Sequence, residues 1–177
     1  MNRNDYIATL AEAKNGKAAI YIRRATVSQT RMGNDLRELT TQILITFAHE
    51  HGFTDEQLVI FNDTGLPASA PLEKREGLQG LIRAIEHDEV KAVLIGSEYS
   101  LYRDAQLADI LFFILLCQRH HVVVITPDML YDFTNPVHAK LFQFRLEGVS
   151  FVIYARKVHE RKVYARNRSR QQKEEQK

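Results

Sequence analysis

Apolar positions along the 177-residue chain fall into short blocks of two alternating kinds. Tyr6, Ile7, Leu10 and Ala11 recur at helical spacing over 4–14, with Gly16 as a stop. Ala18 to Ile22 is a continuous apolar run of strand length. Asp35 is placed to cap a helix whose apolar positions Leu36, Leu39, Ile43, Leu44, Phe47 and Ala48 follow the 3.6-residue period until Gly52. Gln57 to Phe61 reads as a second strand, and the stretch from Asn62 to Leu72, with Gly65, Pro67 and Pro71, as a loop. Leu78, Leu81, Ile82 and Ile85 mark a helix, Val90 to Gly96 a third strand, Asp104 to Cys117 another helix, and Val122 to Ile125 a fourth strand. The strand runs lack polar alternation, as expected of strands covered on both faces. The pattern predicts an α/β fold, a mostly parallel sheet sandwiched between helices.

The last element breaks this rhythm. From Asn135-Pro136 to about Arg168 only Gly148 interrupts a helical pattern, and such a helix would be about 50 Å long at ~1.5 Å per residue. Its first half is apolar nearly all round, with Leu141, Phe142, Phe144, Leu146, Val149, Phe151, Val152 and Ile153. One face can pack on the sheet domain; the other needs a second partner. Leu141, Phe144 and Phe151 are the candidate self-association residues. The second half is basic: Arg156, Lys157, Arg161, Lys162, Arg166, Arg168 and Arg170. A basic run is also what a solvated helix end looks like, but this one continues directly from a half too apolar for a lone monomer. The expectation is a dimer helix that leads onto a phosphate backbone. The implied organisation is a sheet domain over 1–133, a long helix over 134–168 and a tail over 169–177.

Charge sharpens this division. The chain carries +2 overall, yet residues 1–154 hold 15 basic and 19 acidic side chains while 155–177 hold 9 and 3. A mildly acidic body thus ends in a basic segment, which raises the question of a polyanionic partner. A single Cys excludes a disulfide framework and makes a reducing cytosol the expected setting. The longest strongly apolar stretch, Ile110 to Cys117, is far short of the ~20 residues of a membrane span, and the N-terminus lacks a signal-peptide core. No membrane association is expected, and the localisation expected is cytoplasmic, on the nucleoid in a bacterium.

Open α/β sheets place their sites at the carboxyl ends of the strands. There the sequence offers Arg23 and Arg24, then Asp63, then Glu98 and Arg103, then Asp128, with Arg75 at a helix mouth. Four arginines at one edge suit bidentate contact with a phosphodiester, although strand-end charges also serve solubility. Neither a P-loop nor a dinucleotide fingerprint is present, and the seven histidines show no metal-ligand spacing with carboxylates. No cofactor, metal or small-molecule ligand is expected. Cys117 reads as core, His120-His121 as a helix end, and the Tyr and Phe residues as core rather than a base-stacking platform.

The stretch Tyr21-Ile22-Arg23-Arg24-Ala25-Thr26-Val27-Ser28-Gln29 resembles the opening motif of the serine site-specific recombinases (resolvases, invertases and large serine integrases), Tyr-x-Arg-x-Ser-Thr-x-x-Gln. Phe61-Asn62-Asp63-Thr64-Gly65-Leu66 is similar to that family's Asp-x-Gly turn. Arg75-Glu76-Gly77-Leu78-Gln79-Gly80-Leu81-Ile82 is similar to its Arg-Pro-Gly-Leu-x-x-Leu helix start. Leu101-Tyr102-Arg103-Asp104 matches the end of its Asp-Arg-Leu-x-Arg-Asp segment, and a long final helix starting at a Pro is expected as well. The resemblance runs in order over about 17–165. It implies a resolvase catalytic-domain-like sandwich and a duplex DNA partner. It also implies a chemistry in which a Ser attacks a phosphodiester and joins the 5′ phosphate, while arginines stabilise the phosphoryl charge. The site residues it implies are Tyr21, Arg23, position 25, Gln29, Asp63, Arg75 and Arg103.

This sequence departs from the pattern at the nucleophile. The Ser position is Ala25, whose methyl group cannot attack phosphorus, and the Asp-Arg pair is replaced by Tyr99-Ser100. Ser28 and Ser100 are nearby hydroxyls, but in-line attack tolerates little misplacement: ~1 Å can cost 100-fold. Three readings stand. The chain is a recombinase-like domain that binds DNA and self-associates, or joins an active recombinase, without cleaving strands; or it is a working site-specific recombinase carrying a Ser-to-Ala change; or it is an assembly module that never touches DNA.

Overall fold

The computed structural model describes residues 3–23, 31–63, 65–66, 70–102 and 107–147, with the backbone alone for 3–4 and 31–37. Helix α1 (Arg3–Ala13) precedes β1 (Lys17–Ile22), α2 (Arg31–Glu50), β2 (Leu58–Asn62), α3 (Glu76–Glu86), β3 (Val90–Leu94), α4 (Leu107–Arg119), β4 (Val123–Ile125) and β5 (Leu130–Tyr131). Residues 136–147 form a further helix, α5. The described strands make one sheet in the order β2-β1-β3-β4-β5. The first four are parallel, with Ile20 beside Ile60 and Leu94 on its two flanks, and β5 alone is antiparallel. The expected mostly parallel sheet between helices is the architecture found.

Period-two alternation sorts the side chains between two cores. Ala19, Tyr21, Val93, Ile95, Val124 and Tyr131 meet α3, α4 and α5 on one face. Ala18, Ile20, Ile22, Ala92, Leu94, Val123, Ile125 and Leu130 meet α1 and α2 on the other. Because both faces of β1, β3 and β4 are covered, these strands read as unbroken apolar runs, whereas the edge strand β2 reads as apolar yet leaves Ile60 exposed. Phe142 is buried among Phe113, Tyr131 and Phe133, with ring centroids 5.0–6.3 Å away, so the first turns of α5 belong to the sheet domain's own core.

Three helices stop in the same way. Gly52, Asp88 and His121 adopt φ of 82°, 57° and 53°, and the next amide of each (Phe53, Glu89, Val122) bonds back to the carbonyl five residues earlier. This is the Schellman closure, in which a left-handed residue satisfies the last carbonyls. It confirms the helix end at His120-His121. Asn135 Oδ1 accepts from the Val137 amide at 2.9 Å, so Asn135 caps α5 with Pro136 at its first position.

Several expectations are corrected. Helix α2 starts at Arg31 rather than at an Asp35 cap, because Gly33 and Asn34 weaken a helix without stopping it. Of its apolar series, Leu44 and Ala48 are buried while Leu39 and Ile43 face solvent, and in α1 Tyr6 and Leu10 pack inward but Ile7 does not. The start expected at Asp104 lies outside the described residues, which hold this helix over Leu107–Arg119. β5 went unforeseen, since two residues are too few to show a period. His138, in the first turn of α5, is buried, and its Nδ1 accepts from the Asp132 amide at 3.0 Å. Cys117 is core, as expected.

Candidate functional site: a braced pair of arginines

The carboxyl ends of β1, β2 and β3 converge on Asp63. Its amide bonds to the Ile22 carbonyl at 2.9 Å, extending the β1–β2 ladder by one rung, so the side chain points at the amino end of α3. There Oδ1 accepts from the Gly77 amide at 2.7 Å and Oδ2 from the Leu78 amide at 3.0 Å. Oδ2 also accepts from the Tyr21 hydroxyl at 2.7 Å and lies 3.6 Å from Arg75 Nε. Two amides from the amino end of α3 thus converge on one carboxylate. With its acceptor sites so occupied, Asp63 braces the site rather than moving protons.

Tyr21 is the second link. Its hydroxyl donates to Asp63 and accepts from Arg75 Nη2. Burial pushes the phenol well above its usual range, and Asp63 adds to this while Arg75 opposes it, so Tyr21 keeps its proton. Arg75 is only 5% exposed, with its guanidinium carbon 5.7 Å from the Tyr21 ring centroid and 6.0 Å from that of Tyr102. A guanidinium on aromatic faces tolerates burial better than an ammonium. Nη2 of Arg75 also donates to the Ser100 carbonyl at 3.3 Å.

Arg23, half-buried beyond β1, donates through Nε to the Ser100 carbonyl at 3.0 Å and through Nη2 to the Tyr99 carbonyl at 2.7 Å. Two guanidinium groups therefore donate to the backbone carbonyls of one turn after β3, and Arg75 lies against the Asp63 carboxylate as well. Of the residues singled out in the sequence, Tyr21, Arg23, Asp63 and Arg75 form one connected network, and Tyr99 and Ser100 join it through backbone carbonyls. Ala25, Gln29 and Arg103 lie outside the described residues. So do Phe151 and the basic series Arg156, Lys157, Arg161, Lys162, Arg166, Arg168 and Arg170. Leu141 spends part of its surface on the domain's own core, and Phe144 is 69% exposed.

Two parts of the site escaped sequence reasoning. Tyr102, buried against Arg75, sits where the family pattern is unspecified. Glu98, Tyr131 and Arg145 form a second polar cluster, for which a lone Arg in the apolar half of α5 was the available signal. Elsewhere, a cleft of about 480 Å³ opens at the amino ends of the strands, between α1 and the turns before β3 and β4. Within it Lys91 pairs with Asp88 at 2.8 Å, and Asp132 Oδ1 accepts from the Thr134 amide and hydroxyl. Among the described residues no group of three His, Cys, Asp or Glu is placed to hold a metal, and no helix is long and apolar enough to cross a membrane.

Fold and site define an α/β domain whose carboxyl edge carries a braced guanidinium pair. The family model of the resolvase N-terminal domain matches residues 18–175, and the chain belongs to that family, the catalytic domain of serine recombinases. Among solved structures it is similar to the N-terminal catalytic domain of TP901-1 integrase, with 23% identity, 81% of this chain and 98% of that one covered, and a TM-score of 0.52. It is also similar to a resolvase family site-specific recombinase from Streptococcus pneumoniae, with 20% identity, coverage of 85% and 99%, and a TM-score of 0.51. At these identities the structures speak for the fold. No curated protein is similar enough in sequence to count as a relative.

Proposed function

We propose that this chain is a recombinase-family domain that holds duplex DNA and associates with further copies, or with an active recombinase, without cleaving strands. One observation carries the reading: the Tyr21–Asp63–Arg75 network and Arg23 are retained in a chain whose sequence has Ala25 at the family's nucleophile position. Guanidinium groups held in this way suit a phosphodiester, and nothing at position 25 can attack one. The self-association surface is assigned to the outward face of α5 and its continuation, with Phe144 and Phe151. The backbone contact is assigned to Arg156, Lys157, Arg161, Lys162, Arg166, Arg168 and Arg170. The organisation is a sheet domain to about residue 133, a long helix to about 168 and a tail.

Two measurements test this. Binding to duplex DNA is expected to weaken steeply with salt, with a log–log slope of up to about −0.9 per phosphate neutralised. No binding at low salt would favour an assembly module that never meets DNA. Restoring the nucleophile with Ala25→Ser is expected to give no covalent protein–DNA adduct, because Tyr99-Ser100 replaces the family's Asp-Arg pair. An adduct would identify a working recombinase and overturn the non-cleaving reading.

A further inference from the structure

The turn that receives the two guanidinium groups is held from its other side by α5. Glu98, the first residue of this turn, is buried at 4% exposure after β3. Its Oε1 accepts from the Tyr131 hydroxyl and from Arg145 Nη1, the latter at 3.0 Å. Asp128 lies 3.8 Å from the same nitrogen. One residue further on, the Tyr99 hydroxyl donates to the backbone carbonyl of Arg145 at 3.3 Å. Three residues, Glu98 to Ser100, thus carry side-chain bonds to α5 and backbone carbonyl bonds to Arg23 and Arg75.

Burying a carboxylate is costly without compensating charge and hydrogen bonds, and a one-sided loss of the partner is strongly unfavourable. Glu98 has its guanidinium partner only while α5 is docked. The carbonyls of Tyr99 and Ser100 in turn fix the plane of Arg23, because a guanidinium donating through both Nε and Nη2 has little rotational freedom left. A shift of α5 therefore moves the turn, and the turn reorients the arginines. We propose that Glu98 and Arg145 are positioning residues for the arginine site: they set the Glu98–Ser100 turn, and through its carbonyls the orientation of Arg23 and Arg75. The proposal rests on the reading of this edge as a phosphate site, and it adds that the helix leading toward the basic segment controls that site's geometry.

The test reads the arginines directly. In the full chain, the Nε–H signals of Arg23 and Arg75 are assigned by NMR with Arg23→Lys and Arg75→Lys variants. Arg145→Ala is expected to shift both signals and raise the hydrogen-exchange rate of the Arg23 Nε–H severalfold. Arg145→Lys, which restores a cation beside Glu98, is expected to bring them part of the way back. Arg119→Ala, at the exposed end of α4, serves as the control and leaves them in place. Tyr99→Phe removes only the hydroxyl bond to the Arg145 carbonyl and is expected to move the Arg23 signal alone, which provides a test should Arg145→Ala fail to fold. Unchanged Arg23 signals in a folded Arg145→Ala or Tyr99→Phe protein would overturn the proposal. In the same variants, affinity for a short duplex at low salt is expected to fall severalfold. Shifted arginine signals in a chain that binds no duplex at all would uphold the positioning role and overturn the DNA reading instead.

Discussion

The Asp63 carboxylate accepts from the Gly77 amide at 2.7 Å and, with the Leu78 amide beside it, locks the end of β2 to the start of α3. A methyl group on Gly77 would fall 2.7 Å from the Asn62 carbonyl carbon and 2.8 Å from its nitrogen and oxygen. These are backbone atoms, so strand and helix must separate, and the cap is lost with them. Gly77→Ala gains ~1 kcal/mol of helix propensity but incurs about 1–3 kcal/mol of overpacking and ~1 kcal/mol from the cap. The expected outcome is a net loss of about 1–3 kcal/mol in urea unfolding. An unchanged midpoint would mean that α3 slides without penalty.

Asp63→Asn addresses the same lock through charge. It leaves Arg75, 5% exposed, without its carboxylate, and breaking a buried pair from one side costs about 3–5 kcal/mol. Tyr21→Phe removes one hydroxyl from the same network and is expected to cost only about 1–3 kcal/mol. Equal losses in the two variants would contradict the view that Asp63 is the common brace.

Alkaline pH should unfold the protein through groups that cannot ionise in place. Burial pushes the Tyr21, Tyr102 and Tyr131 phenols and the Cys117 thiol up. Below their unfolded values, both states keep these protons and stability does not change. Above about pH 8.5 for the thiol and about pH 10 for the phenols, the unfolded chain loses protons that the folded chain retains. Stability then falls as pH rises, by up to ~1.4 kcal/mol per pH unit for each group. Urea midpoints across the range should bend downward twice, and tyrosinate absorbance from these three side chains should appear only with unfolding.

Two phenylalanines on α5 should behave oppositely. Phe142 is fully buried, and Phe142→Ala is expected to cost about 3–5 kcal/mol. Phe144→Ala, two residues on, should lie within about 0.5 kcal/mol of the parent in the monomer. The Phe144→Asp, Phe151→Asp double variant is instead expected to lower the mass seen by sedimentation. An unchanged mass would place the self-association surface elsewhere.

The sheet was legible because β1, β3 and β4 are covered on both faces, and continuous apolar runs of that length leave few alternatives. The faces of α1 and α2 were less so. Ile7, Leu39 and Ile43 obey the helical period yet face solvent, because periodicity gives an angular stripe and not the tilt at which a neighbour meets it. At the site, Arg23, Asp63 and Arg75 were found by type and by their places at strand ends and a helix mouth, since those ends fix where residues sit, and Tyr21 by the family resemblance. Arg145 was not, because the α5–turn contact joins positions 47 apart and leaves no local pattern.

The reversed strand β5 decides which way the last helix points. Had β5 run parallel, the chain would have left the sheet at the edge where the arginines lie, and α5 would have started there and led away. Instead the Thr126–Met129 turn sends the chain back, and Asp132 and Thr134 border the cleft at the opposite edge. α5 then crosses the full height of the sheet and brings Arg145 to Glu98 beside the guanidinium pair. A two-residue strand thus acts as the compass of the domain, turning the polypeptide back so that Arg145 meets the arginine-bearing edge.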